Sequence, residues 1–496
     1  MYRSRHKEDL DKHVLNFLSS MEFDDKVLYY DILCTKAHLI MLHEIELLTS
    51  DELSDIEREL NSILRHPEKL RKNGFEDIHE AIETHLISKL GTDVGGKVQT
   101  GRSRNDQIIT DIRLMARDGL IIIIHHLIKL ARILLEKSEH NLDSIMPLYT
   151  HLQQAQIGNF SQYLQSYSES LIRELDRSFS IYKRLNISPL GSGPIGGSLF
   201  PIDRRMTAKL LGFDNIVLNT IDATSSRDFM IEFLSSMVSI MITLSRIAED
   251  LIIWSTEEFG FIEVHDKHAS TSSAMPQKKN PDPLELIRSK TALVIGNFTS
   301  VMTITKSLPS GYNRDLQDTK IPFWNSVEIV SSTLQILSDI IRALKVNKKA
   351  MIRASNTSYA ISLDIAEELV MKHRVPFRSA HKVVGALVKK TITNNDSIPF
   401  RSLTDLDVVV ILKSLKVEVP PEQLIRIIKE SNPHKSITSR RSEGSPNPHK
   451  QVKAMQKYRN ILDKYFDEAH KKQSSIKKSL DSITETINLI KSKPKV

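Results

Sequence analysis

Between residues 272 and 282 the chain reads Ser-Ser-Ala-Met-Pro-Gln-Lys-Lys-Asn-Pro-Asp, which gathers hydroxyls, the ammoniums of Lys278 and Lys279 and the carboxamide of Asn280 between prolines. Prolines at 276, 281 and 283 fix backbone angles and disfavour helix at the residues before them, so the segment is expected as a stiff loop presenting its donors outward. Ammonium and amide donors in such a loop stabilise negative charge that develops on a substrate, and this set suits a carboxylate.

Three other polar groups carry chemistry of the same kind. Thr100-Gly101-Arg102-Ser103-Arg104-Asn105-Asp106-Gln107 precedes a long apolar-periodic stretch, with Asn105 or Asp106 suited to cap a helix there. Arginines beside exposed helix amides make an anion site. Tyr149-Thr150-His151-Leu152-Gln153 is expected at the start of another long helix, with an imidazole that can move protons near neutral pH. In Tyr312-Asn313-Arg314-Asp315-Leu316-Gln317-Asp318-Thr319-Lys320, a phenol, an amide and an ammonium can engage the polar end of a substrate.

Nucleotide and metal motifs fail on inspection. Gly91 to Lys97 follows a phosphate loop for seven positions, but Val98 stands where a hydroxyl is required, and the preceding residues read as helix rather than strand. His79-Glu80-Ala81-Ile82-Glu83 puts glutamate where a zincin has its second histidine, so no metal is expected.

Long helical patterns must position these groups. Apolar residues keep helical spacing over 108–137, 152–184, 227–258, 284–305 and 321–345, joined by glycine- and proline-marked connections. The expected fold is all-α, with an N-terminal helical domain at 1–104, a central long-helix bundle at 105–354 and a C-terminal helical domain at 355–496. One cysteine, Cys34, excludes an intrachain disulfide framework, and a cytoplasmic location is expected. The greasiest run, Leu120 to Ile124, is followed by His125, His126, Lys129 and Arg132, so no membrane span is expected. The net charge of +7 is concentrated at the end of the chain, where residues 471–496 hold seven lysines against Asp481 and Glu485. There Ile476, Leu480, Ile483, Ile487 and Ile490 predict an amphipathic helix, and the lack of stacking aromatics argues against a nucleic-acid arm.

Taken together, the motifs resemble the argininosuccinate lyase family of the aspartase/fumarase superfamily. Ser272 to Asp282 is similar to the superfamily's mobile loop in its QKKNPD version, Thr100 to Gln107 to TGRSRNDQ, and Tyr149 to Gln156 to YTHLQ-AQ, all in the expected order. Further matches lie at Asp77 to His79, Arg227 to Phe229, Tyr312 to Lys320 and Val375 to His381. Ile157, Ser226 and Thr271 depart from the family pattern, where proline, aspartate and glycine stand.

The resemblance implies reversible splitting of argininosuccinate into arginine and fumarate without a cofactor. By the same resemblance Ser272 is the base, Lys278 and Asn280 hold the charged carboxylate, and His151 assists as acid and proton carrier. Ser103, Arg104, Asn105 and Thr150 are expected to position the succinyl portion, with Ser20, Tyr312, Gln317 and Lys320 on the arginine portion. It also implies a homotetramer whose sites draw residues from three subunits. Another fumarate-forming lyase of adenylosuccinate lyase or fumarase type, or a catalytically silent crystallin-like protein, stand as alternatives.

Overall fold

The computed structural model describes residue 8 and residues 10–70, 74–393 and 398–492. Nineteen α-helices carry the fold among the described residues, and its strands form only two-stranded sheets.

Five long helices build the central layer: Arg104–Glu139, Phe160–Leu185, Asp228–Ser255, Asp282–Thr305 and Lys320–Ala343. Ser103 starts the first of them, accepting from the Asn105 amide while the Asp106 carboxylate accepts from the Ser103 amide. The cap is therefore Ser103, one turn before Asp106, rather than Asn105 or Asp106 itself. Gly119 lies inside this helix, where a Cβ would stand 3.0 Å from Val327 Cγ1, so its missing side chain lets the Lys320–Ala343 helix come close. The apolar faces meet in one core that includes Ile109, Leu120, Leu127, Phe160, Leu171, Phe233, Leu244, Phe323 and Leu337. Asp228–Ser255 is long and apolar enough to cross a membrane. Phe229, Met237, Leu244 and Leu251 are nevertheless buried in this protein core.

The second long helix begins later than its periodicity suggests. Ile145–Thr150 and Gln153–Asn159 form an antiparallel hairpin, and the helix starts at Phe160 with Asn159 accepting from the Gln162 amide. Thr150 and His151 thus stand at a hairpin tip and not at a helix N-terminus. The cause is non-local: Ile145 and Ile157 pack into a separate core with Ile365, Leu369, Val383 and Leu424. Burial there outweighs the helical spacing.

The terminal helix is longer than the isoleucine pattern, running unbroken from Pro448 to Ser492. Met455, Leu462, Ala469 and Ile476 enter the central core. Ile483, Ile487 and Ile490 then join an N-terminal core with Ile32, Leu39, Leu53 and Leu60. Lys491 closes the contact on Glu57 at 2.7 Å. This helix fastens the N-terminal helices to the bundle.

Candidate active site

A cavity of about 180 Å³ opens where the N-terminal helices meet the bundle. Ser20, Arg104, Asn105, Tyr312, Gln317 and Lys320 line it, together with Asp77, His79, Arg227 and Arg314. Residues from five distant stretches of sequence therefore share one wall.

Each is held by identifiable partners. Arg104 sits at the start of its helix, 2.9 Å from Asp77, the residue that caps the Ile78–Leu90 helix. Lys320 is buried at the start of the last bundle helix, with Nζ 2.6 Å from Asp24. The other Asp24 oxygen accepts from the Ser20 hydroxyl at 2.6 Å and from the Ile78 amide at 3.3 Å. Gln317 Nε2 donates to the Leu18 carbonyl at 3.1 Å, and Asn105 Nδ2 donates to the Pro194 carbonyl at 2.8 Å. Because carbonyls only accept, both carboxamides must turn their nitrogens to the protein, which frees their oxygens to receive N–H donors.

Arg227 is buried, donates to the Ser226 carbonyl and makes no ion pair among the described residues. Burial pulls its guanidinium down to about 10, which leaves it charged at neutral pH and suited to an incoming carboxylate.

Beneath the cavity lies a buried imidazole between carboxylates. His79 Nδ1 is 3.4 Å from Asp31 and 4.0 Å from Asp111, and all three residues are buried. Burial opposes charge on the ring, but Asp31 foremost raises it to about 9. Burial works against Asp31 as well, and His79 nonetheless holds its carboxyl below the usual range. Burial and the Asp31 charge push Asp111 up. The donor atoms of the trio lie within 4.8 Å of one another. A protonated ring supplies the positive charge that a metal ion would otherwise bring to them.

The remaining expected residues lie outside this cavity. His151 and Leu152 form the two-residue turn of the hairpin with φ of +54° and +59°, and Leu152 is 76% exposed. Side chains in this left-handed region cost about 1–3 kcal/mol each, a cost that the hairpin pairing of Ile145–Thr150 with Gln153–Asn159 offsets as it sets the imidazole at the tip beside Thr150. Ser272, Lys278 and Asn280 lie on another hairpin, where Ser270–Thr271 pairs with Lys279–Asn280. The Ser272 hydroxyl accepts from the amides of Ala274 and Met275 at 3.3 and 3.1 Å. Lys279 is tied to Glu263 and Asp266 at 3.0 and 2.6 Å, whereas Lys278 is exposed and makes no ion pair among the described residues. Ser103 spends its hydroxyl on the helix cap.

Sequence reasoning missed Asp24 and did not place Asp77 in the site. Asp24 stands one helical turn after Ser20, a spacing that offered a signal, but its link to Lys320 spans 296 residues. A larger cavity of about 260 Å³, beside Asp364 and Arg440, has its main cations already paired: Arg440 with Asp364 and Glu367, and Lys435 with Glu368.

Comparisons with known proteins identify the family. Residues 5–296 match a lyase family model, and residues 359–419 match the argininosuccinate lyase C-terminal model. An argininosuccinate lyase of Nitrosopumilus maritimus is 42% identical over 99% of this chain and 100% of its own. That of Caldanaerobacter subterraneus is 44% identical over 82% of this chain and 92% of its own. Among solved structures, an EDDS lyase in complex with formate superposes with a TM-score of 0.86 at 25% identity, covering 97% of this chain and 95% of the other. A class II fumarase from Schistosoma mansoni shares the fold, with a TM-score of 0.68 at 15% identity over 83% of this chain and 90% of the other. The chain belongs to the argininosuccinate lyase family of the aspartase/fumarase superfamily.

Proposed function

We propose that the chain splits argininosuccinate reversibly into arginine and fumarate, in sites assembled from several copies of itself in a homotetramer. The carrying observation is a division of labour. The cavity collects most of the binding groups, while Ser272 with Lys278 and His151 stand on two separate hairpins outside it, with His151 and Lys278 exposed. Groups needed for one reaction, presented on three surfaces of one chain, suit assembly between chains.

In this reading the cavity binds the substrate. Tyr312, Gln317, Lys320 and Ser20 hold the arginine portion, and Arg104 and Asn105, joined by Thr150 from the hairpin of another copy, position the succinyl portion, with Ser103 fixing the helix end from which Arg104 and Asn105 project. The free Asn105 oxygen suits the guanidino N–H where the two portions join.

Ser272, as alkoxide, takes the carbon-bound proton next to a carboxylate. That carboxylate takes up the electron pair as an aci-carboxylate, held by Lys278 and Asn280. The pair then forms the fumarate double bond as the carbon–nitrogen bond breaks, and the leaving guanidino nitrogen receives a proton with help from His151. Closing the serine loop over the site removes water and strengthens the loop's donors toward the developing charge. A positioned acid contributes ~10²–10⁴-fold. A cytoplasmic location accompanies this reading.

Ultraviolet detection of fumarate tests the assignment. Turnover of argininosuccinate, with none of adenylosuccinate or malate, is expected; turnover of either alternative alone contradicts it.

A further inference from the structure

We infer that Asp106 is a positioning residue for the Asn105 carboxamide, acting through the glycine loop that follows residue 190. The Asp106 carboxylate is fully buried, and both of its oxygens are engaged. Oδ1 accepts from the Ser103 amide at 2.8 Å, closing the cap of the Arg104–Glu139 helix. Oδ2 accepts from the amides of Gly191 and Gly193 at 2.8 and 2.9 Å, which draws the loop across the same helix end.

The loop reaches this position by a route open to glycine. Gly193 has φ +60°, and a Cβ there would lie 2.7 Å from the Gly197 carbonyl oxygen. The next residue, Pro194, supplies the carbonyl that receives Asn105 Nδ2 at 2.8 Å. One buried carboxylate thus fixes the helix end that carries Asn105 and the loop that decides which way its amide faces. Released from Pro194, the amide can turn its nitrogen toward the cavity and meet an N–H of the ligand donor to donor.

Asparagine cannot replace this carboxylate. It offers one acceptor oxygen, so its NH₂ must face either the Ser103 amide or the two glycine amides, and one attachment is lost whichever way it turns.

The inference rests on the reading of Asn105 as a substrate contact, and a double-mutant cycle separates the two. Steady-state kinetics on the full-length chain would compare Asn105→Ala, Asp106→Asn and the double variant, each checked for folding by circular dichroism. Asn105→Ala is expected to raise KM roughly ten- to a hundredfold, the worth of one hydrogen bond to a charged guanidinium. Asp106→Asn should raise KM by a similar factor with kcat nearly unchanged, yet add less than about twofold when Asn105 is already alanine. If the two effects multiply in full while Asn105→Ala alone is impaired, Asp106 does not act through Asn105 and the inference fails, though the site reading survives. If Asn105→Ala leaves KM unchanged, the site reading of Asn105 fails and the inference falls with it. Should Asp106→Asn not fold, Gly193→Ala displaces the same loop and takes its place in the cycle with the same expected non-additivity.

Discussion

Lys320 Nζ lies 2.6 Å from Asp24 Oδ1, with the two side chains 5% and 0% exposed, in a contact that joins the start of the last bundle helix to the N-terminal segment. The same aspartate holds the Ser20 hydroxyl, so two binding groups from distant parts of the sequence share one buried anchor. Lys278, by contrast, is exposed on its loop and makes no ion pair among the described residues. The two lysines should therefore fail differently.

Lys320→Met is expected to lower stability by about 3–5 kcal/mol, because it strands a buried carboxylate, and to act on catalysis mainly by raising KM. Lys278→Met should leave the melting temperature unchanged and reduce kcat, since its charge is called on only as the aci-carboxylate forms. Thermal melts beside steady-state kinetics decide this; the opposite kinetic pattern would mean the two ends of the substrate have been exchanged.

Ser272→Ala should abolish fumarate formation while leaving substrate binding and the melting temperature close to the parent. The hydroxyl contributes only two local bonds, to the amides of Ala274 and Met275. Turnover near the parent level would remove serine from the role of base.

The His79 cluster predicts a pH dependence of stability. The folded ring titrates at about 9 against 6.5 for an ordinary histidine, because Asp31 foremost outweighs the burial that opposes its charge. A raised value means the folded state holds the proton more tightly, so this contribution is complete below pH 6.5 and is lost as pH rises through 9. Chemical denaturation between pH 6 and 10 should show a decline that His79→Asn flattens. An identical decline in the variant would place its cause elsewhere.

Ile483→Ala and Ile487→Ala should each cost about 2–5 kcal/mol, because both side chains are buried in the N-terminal core. Their kcat at low temperature should stay near the parent value. Denaturant melts with midpoints equal to the parent would show that the end of the terminal helix does not fasten the N-terminal helices.

The sequence made the bundle legible because long apolar periods are a local property. Four of the five helices begin within four residues of their expected starts, since Ser103, Pro283 and their neighbours mark the boundaries in place. The second helix was misread at its start because what holds the Gln153–Asn159 strand lies more than 200 residues away in Ile365 and Leu369. The site divides in the same way. Motif residues such as Arg104, Tyr312 and Lys320 carry their chemistry in their own neighbourhoods, whereas Asp24 becomes meaningful only when the fold brings it to Lys320. Ser103 shows a second local role that its motif did not reveal: its hydroxyl oxygen accepts from the Asn105 amide in a helix cap.

The central claim, that one site draws on more than one chain, is tested most directly by mixing two inactive variants. Ser272→Ala and His151→Asn chains are denatured, refolded together and assayed for fumarate production against each variant refolded alone. The account predicts that activity reappears, because some hybrid tetramers contain a site that receives Ser272 from one intact hairpin and His151 from another chain's. Absence of rescue, with mixed tetramers confirmed by mass, would contradict it and place both groups of each site on the same chain.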